Sequence, residues 1–155
     1  MLRRSRVRPW VAIASASAAI SAGVVLAPST FAAPAPDISD AVASLRGMAC
    51  GPLRNDPVVE QAAEIINRLE DDYVSHTARQ QPISDPVPGL KDLGYGGSKA
   101  KLLLGTARTD ADAITAMLLQ GYDAFADCAY RDFGVSRLRN EDTGLTFTAV
   151  VLAGP

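Results

Sequence analysis

The sequence is poor in the residue types that build most metal and catalytic centres. It contains one histidine, His76, and two cysteines among 155 residues. A lone imidazole cannot form a zinc site without other protein ligands, and no second Cys or His flanks either cysteine. No serine lies in a G-x-S-x-G context. These absences favour a role in binding over one in catalysis, and they predict no metal and no cofactor.

Basic residues are also scarce once the N-terminal segment is set aside. The chain has 15 Lys and Arg against 17 Asp and Glu, but four of the arginines lie at its very start. The rest of the chain therefore carries a formal charge of about −6. Electrostatic binding of nucleic acid needs a basic face, so the composition predicts no nucleic-acid partner.

The N-terminal segment has the pattern of a secretory signal peptide. Four arginines precede an uncharged stretch over residues 9–36, and small residues precede a cleavage site after Ala32. We predict a signal peptide at residues 1–32 and a flexible leader at residues 33–37. An uncleaved membrane anchor is the alternative, since the uncharged stretch is long enough to cross a bilayer. After cleavage no integral membrane span would remain, and the domain would be secreted into the medium or lie in the cell envelope.

The two cysteines, Cys50 and Cys128, both follow the export segment. An even number of cysteines in an oxidising compartment indicates a disulfide. Closing a loop of about 78 residues would stabilise the fold by on the order of 4 kcal/mol through the unfolded state. Two buried free thiols are the alternative.

Helical periodicity accounts for much of the chain after the leader. Apolar residues recur at helical spacing over residues 37–48, and again from an N-cap at Asp56 as far as Tyr73. A further helix is predicted over residues 110–119, and a single helical turn over residues 90–93. Residue Gly121 should end the last helix, and the segment after it is expected to be irregular.

Strand signals are concentrated near the C-terminus and predict a hairpin there. Strands are expected at residues 101–104, 133–139 and 145–152. A turn at residues 140–144 joins the last two, and Gly105 should close the first. Together the elements predict an α+β domain over residues 38–155, in which helices cover a small antiparallel sheet.

Four short motifs follow one another in an order that is similar to that of a known family. Residues 51–63 look like its "P-L-x-x-D-x-x-L-x-x-A-A" helix, and residues 73–77 look like its "F-S-H-T" segment. Residues 90–95 are similar to "L-x-x-A-G-Y", and residues 132–136 to "T-x-I-G-V-G". By these motifs the chain resembles the bacterial secreted branch of the CAP superfamily, the group of cysteine-rich secretory proteins, antigen 5 and pathogenesis-related proteins. The resemblance implies an α-β-α sandwich.

The resemblance also implies an open cleft, where this sequence departs from the family. That cleft usually gathers two histidines and two acidic residues, which can hold a divalent metal. His76 matches the first histidine, but residues 99–101 hold two lysines where a glutamate is expected. Residues 121–125 contain no second histidine. The cleft is therefore expected to be degenerate, with His76 on its wall and hydrogen-bonded to nearby backbone.

Three functions remain open at this point. The favoured one is a secreted, non-catalytic domain that binds an unknown envelope or extracellular partner, with His76, Tyr95 and Tyr122 as candidates for the ligand groove. The second is a carrier of lipid or another apolar ligand. Residues 102–104 and the aromatic side chains of residues 122–130 would line its groove, unless they form ordinary core. The third is a hydrolase or peptidase that uses His76 as general base.

The glycine-rich residues 94–98 superficially resemble a phosphate-binding loop. They lack the G-x-G-x-x-G spacing, and no strong strand precedes them. We therefore predict a plain turn here.

Overall fold

The computed structural model describes residues 37–155, so the predicted signal peptide and nearly all of the predicted leader lie outside the described residues. The helices are α1 Ile38–Gly47, α2 Pro57–Val74, α3 Val87–Asp92, α4 Asp110–Gln120 and α5 Tyr122–Phe125. The strands are β1 Arg54–Asn55, β2 Lys99–Ala107, β3 Asp132–Asn140 and β4 Leu145–Gly154. Among these described helices, none has the length and apolar character needed to cross a membrane.

The three long helices begin where the sequence predicts, because a polar side chain caps each N-terminus. The caps are Asp37 on α1, Asp56 on α2 and Thr109 on α4. Each side-chain oxygen accepts a hydrogen bond from a first-turn N–H that has no partner within the helix. In α4 the capping is reciprocal, since the Thr109 hydroxyl also donates to the Asp112 carboxylate at 2.7 Å.

The strands form one sheet in the order β1-β3-β4-β2. The predicted hairpin of β3 and β4 is present, and β2 pairs antiparallel to the other side of β4. β1 adds two residues in parallel to the start of β3, so the sheet is mixed and not wholly antiparallel as predicted. Within residues 37–155, β1 and β2 are its edges.

Helices cover both faces of this sheet and give three layers. On one face α2 and α3 pack through Val59, Ala63, Ile66 and Leu90 against Val151 and Ala153. On the other face α1, α4 and α5 pack through Ile38, Val42, Met117 and Phe125 against Val150 and Leu152. Consecutive β4 residues thus serve opposite faces, because side chains alternate along a strand. The predicted α+β fold is confirmed, with helices, sheet and helices as its layers.

The sequence predicted β2 too short and missed β1. Gly105 was expected to close β2, but it lies inside the strand, where a Cβ would collide with the backbone carbonyl of Ala113. The glycine therefore permits α4 to pack closely on the sheet. Residues 122–125, expected to be irregular, form the single turn α5. The predicted turn near Leu90 is α3, which begins earlier than expected.

Candidate functional site

His76 follows α2, directly after the C-cap residue Ser75. Its φ is +59°, and it is the one non-glycine residue of the described chain with a positive φ. Its backbone N–H donates to the Tyr73 carbonyl at 3.1 Å, and the N–H of Thr77 donates to the Asp72 carbonyl at 2.9 Å. These two bonds form a Schellman motif, in which glycine usually holds the position of His76. His76 therefore has a local role in ending α2.

The imidazole of His76 is exposed to solvent. Only its backbone makes hydrogen bonds within residues 37–155, whereas we expected the side chain to do so. The neighbouring Ser75 hydroxyl donates to the Asp71 carboxylate at 3.2 Å and accepts from the Asn140 amide at 3.1 Å. No group of His, Cys, Asp and Glu suited to hold a metal ion occurs in the described part of the chain. The surroundings of His76 therefore offer the imidazole no free nucleophile.

A cleft with a volume of about 450 Å³ opens between β2 and the C-terminal half of α2. Its lining comes from α2 (Glu70, Tyr73), the next loop (residues 81–84), β2 (Lys101, Leu102, Leu104) and the end of α4 (Gln120). We call it the β2 cleft. His76 is not part of this lining.

The open edge of β2 faces the β2 cleft. The side-chain oxygen of Gln120 accepts a hydrogen bond from the backbone N–H of Leu104 at 2.7 Å. This N–H therefore points away from β4. In an antiparallel ladder the outward direction recurs at every second residue, so the N–H and carbonyl of Leu102 point to the same side. The Gln120 amide thus occupies the place where the carbonyl of an added strand would accept a hydrogen bond.

The β2 cleft contains one acidic and one basic side chain. Burial raises the pKa of Glu70, because a low dielectric disfavours the carboxylate. Lys101 is exposed and makes no ion pair within residues 37–155. Ser84 lines the cleft without a histidine beside it. Neither charged group forms an ion pair within residues 37–155.

The other two groove candidates lie elsewhere. Tyr95 lines a separate pocket near the N-terminus of α2, where its hydroxyl donates to the Asp132 carboxylate at 2.7 Å. Tyr122 is 71% exposed at the start of α5, in a pocket with Leu45 and Met48. His76 caps the far end of α2, which is about 27 Å long at 1.5 Å per residue. The three candidates therefore do not line one groove.

Most residues considered for an apolar groove belong to the core. Leu103, Phe125 and Tyr130 pack together in one buried cluster, and Leu102 is buried in the other. Leu102 and the half-buried Leu104 also border the β2 cleft. An apolar pocket does lie between α2 and α3, around Ile65, Ile66, Ile83 and Leu93. Its volume is about 200 Å³. Small-molecule sites usually have volumes of roughly 300–1,000 Å³, so this pocket is small for a lipid.

The predicted disulfide between Cys50 and Cys128 is present, with Cα atoms 5.5 Å apart. Beside it lies Arg46, which is only 3% exposed. Its guanidinium donates to the backbone carbonyls of Gly51, Phe125, Asp127 and Tyr130. An arginine in an amphipathic helix is normally placed on the solvent face, so the sequence pattern gave no signal for this burial.

Comparison with known proteins identifies a likeness of fold. No protein-family model and no curated protein matches the chain. Among solved structures, it is similar to an outer surface protein from Borrelia burgdorferi, with a TM-score of 0.61 and 14% sequence identity. The match covers 76% of this chain and 89% of that chain. At this identity the likeness concerns the fold alone, and the resemblance to the CAP superfamily rests on the sequence motifs.

Proposed function

We propose that this domain is exported and acts in the cell envelope or outside the cell by binding a partner protein, not by catalysis. Three observations support the location. The sequence begins with an export pattern, and the disulfide suits an oxidising compartment. The protein with the similar fold is named an outer surface protein. The resemblance to the CAP superfamily remains part of this proposal on the strength of the sequence motifs alone.

The ligand that we propose is an extended polypeptide segment that pairs with the edge of β2. The observation that carries this proposal is the hydrogen bond from the Leu104 N–H to the Gln120 side chain. A strand edge that already binds an amide oxygen in this position is suited to bind a backbone carbonyl there. In strand addition, main-chain hydrogen bonds supply affinity and flanking pockets supply specificity.

The β2 cleft provides the flanking contacts that such a segment needs. Tyr73 and residues 81–84 form the wall opposite the strand, and the cleft volume of about 450 Å³ leaves room beside the edge. The exposed ammonium of Lys101 favours an acidic residue in the bound segment. Neither of the other two functions has comparable support, since His76 has no partner for catalysis among the described residues and the apolar pocket is small.

Peptide selection combined with two variants of opposite effect tests this function. The purified protein is used to select binders from a display library of short random peptides. Ala100→Pro removes an outward N–H without removing a bond to β4, so it should weaken binding of the selected peptides about tenfold. Gln120→Ala removes the internal competitor for the Leu104 N–H, so it should strengthen binding.

Hydrogen exchange supplies an independent measurement. The outward amides of Leu102 and Leu104 should become protected when a selected peptide binds. Far-UV circular dichroism should show the same fold in both variants. Peptides that bind wild type and Ala100→Pro equally, or no enrichment at all, would contradict pairing at β2.

A further inference from the structure

A second pocket, with a volume of about 650 Å³, lies at the N-terminal end of α2. It is separated by most of the length of α2 from the β2 cleft. Its lining comes from Arg54, Asp56, Val58, residues 94–97, Arg131, Asp132 and Pro155. We call it the Arg54 pocket. Its residues come from four segments that are distant in sequence, so no single sequence motif predicts the pocket.

The buried carboxylate of Asp132 organises the Arg54 pocket. Asp132 is 6% exposed, and both of its oxygens are bonded. One accepts from Arg54 Nε at 2.8 Å, and the other accepts from the Tyr95 hydroxyl at 2.7 Å. Burial and the bond to this carboxylate raise the pKa of Tyr95, so the phenol keeps its proton. Asp132 therefore fixes a guanidinium and a phenol at the pocket, and its own charge is compensated.

Two arginine side chains line the pocket, and they differ in their hydrogen bonds and ion pairs. Arg54 is held through Nε, and its side chain remains 73% exposed, so its outer N–H groups are accessible. Its remaining carboxylate neighbour, Asp56, lies 3.8 Å from Nη2 and also caps α2. Arg131 is exposed, and its side chain makes no hydrogen bond or ion pair within residues 37–155. The Arg131 guanidinium therefore forms no ion pair within the described residues, whereas Arg54 has two carboxylate neighbours.

The glycine-rich segment 94–97 forms a further part of the pocket lining. The N–H groups of Gly96 and Gly97 donate to no acceptor in the described part of the chain. The Lys91 ammonium binds the Gly96 carbonyl at 3.1 Å and so fixes the turn. A Cβ at Gly97 would collide with the Gly154 carbonyl and the Tyr95 ring, so only glycine fits there. The lining therefore includes two residues whose backbone N–H groups have no acceptor among the described residues.

We propose that the Arg54 pocket binds a small ligand through an oxyanion, a carboxylate or a phosphate group. Guanidinium groups bind such oxyanions through paired, charge-assisted hydrogen bonds. Successive backbone N–H groups can also form concave anion sites. The glycine turn lacks a phosphate-loop spacing, which is why the sequence predicted a plain turn. In the folded protein, Arg54 and Arg131 line the same pocket as this glycine-rich segment and can supply the positive charge for binding an anion.

This site is separate from the peptide site proposed at β2, and the two tests do not depend on each other. For the Arg54 pocket the probes are inorganic phosphate and acetate, titrated into the isotope-labelled protein at constant ionic strength set with chloride. Amide NMR signals of Gly96 and Gly97 should shift in a saturable manner with at least one of the two anions. The anion that binds more tightly identifies the preferred oxyanion.

Matched charge variants test the role of the guanidinium. Arg131→Gln removes the free charge from an exposed position and should weaken binding about tenfold. Arg68→Gln removes the same charge from the exposed face of α2, outside the pocket, and should leave the affinity unchanged. The proposal is overturned if neither anion shifts the two glycine signals, or if Arg131→Gln binds as tightly as wild type.

Discussion

The two ends of the sheet are held by different kinds of bonds. At the end where β3 begins, residues 46–56 are joined to residues 125–133 by the disulfide, by the buried Arg46 and by the pairing of β1 with β3. At the end where β3 turns into β4, side-chain hydrogen bonds join the elements. An example is the bond from the Asn140 amide to the Asp71 carboxylate, at 2.6 Å. We call these the disulfide end and the hairpin end.

The disulfide end is cross-linked by a covalent bond, whereas the hairpin end contains a residue in an unfavourable backbone conformation. The Arg54 pocket lies at the disulfide end, where Arg54 and Tyr95 are both hydrogen-bonded to Asp132. His76 lies at the hairpin end, where a left-handed backbone conformation is held in a non-glycine residue. Such conformations persist when surrounding bonds determine them, and here Asn140 ties Asp71 and Ser75 together at the end of α2.

Of the changes considered, removal of the disulfide should have the largest effect on the free energy of unfolding. We expect Cys50→Ala combined with Cys128→Ala to lower the free energy of unfolding by about 4 kcal/mol, because the loop between them is no longer closed in the unfolded chain. Urea denaturation measures the change. Reductant should lower the stability of wild type to the same value and leave the double variant unaffected. A much smaller loss would mean that Arg46 and the pairing of β1 with β3 hold the disulfide end without the disulfide.

Replacing His76 tests whether the backbone at the hairpin end is strained. His76→Gly should raise the free energy of unfolding by about 1 kcal/mol, because glycine adopts a positive φ without a clash of Cβ. Thermal denaturation measures this gain. His76→Ala is the matched control, since it removes the imidazole and keeps Cβ, and it should give no gain. Equal behaviour of the two variants would show that the backbone of residue 76 is not strained.

The smallest effect is expected from the partly buried carboxylate in the β2 cleft. Burial raises the pKa of Glu70 in the folded protein above its ordinary value of 4.5. Below that value both folded and unfolded chains bind the proton, so Glu70→Gln should match wild type. As the pH rises through and above it, the folded protein loses stability by ionising this group, and the variant should become slightly more stable.

Melting temperatures at about pH 3 and about pH 7 give the measurement. Glu141→Gln removes the same charge from the exposed hairpin turn and serves as the control. A gain for Glu70→Gln that is the same at both pH values would contradict burial as its cause.

The sequence predicted those elements whose signals are local. Caps at Asp56 and Thr109 and the periodicity that follows them act within a few residues, so α2 and α4 were located well. β1 has two residues and exists only because it meets the start of β3, which no local pattern encodes. Gly105 was misjudged for a similar reason, since its function is to admit α4 from elsewhere in the chain.

The candidate sites were harder to predict because they join distant segments. Gln120 reaches β2 only after α4 has packed on the sheet, and its role has no sequence signature. The Arg54 pocket left a faint signal, since two of its arginines lie next to or near aspartates at the starts of β1 and β3. His76 became a candidate because it is the single histidine of the sequence. Its backbone conformation, which explains its position, is not visible in the sequence.

The buried guanidinium of Arg46 has a consequence for the order in which the domain matures. Its bonds to backbone carbonyls need no oxidant. In the oxidised domain these bonds hold the segment before Cys50 against the segment that carries Cys128, and we expect them to form in the reduced chain as well. The two thiols are thereby kept at a high effective concentration, as linked groups are. Oxidation then locks a geometry that the arginine has already selected.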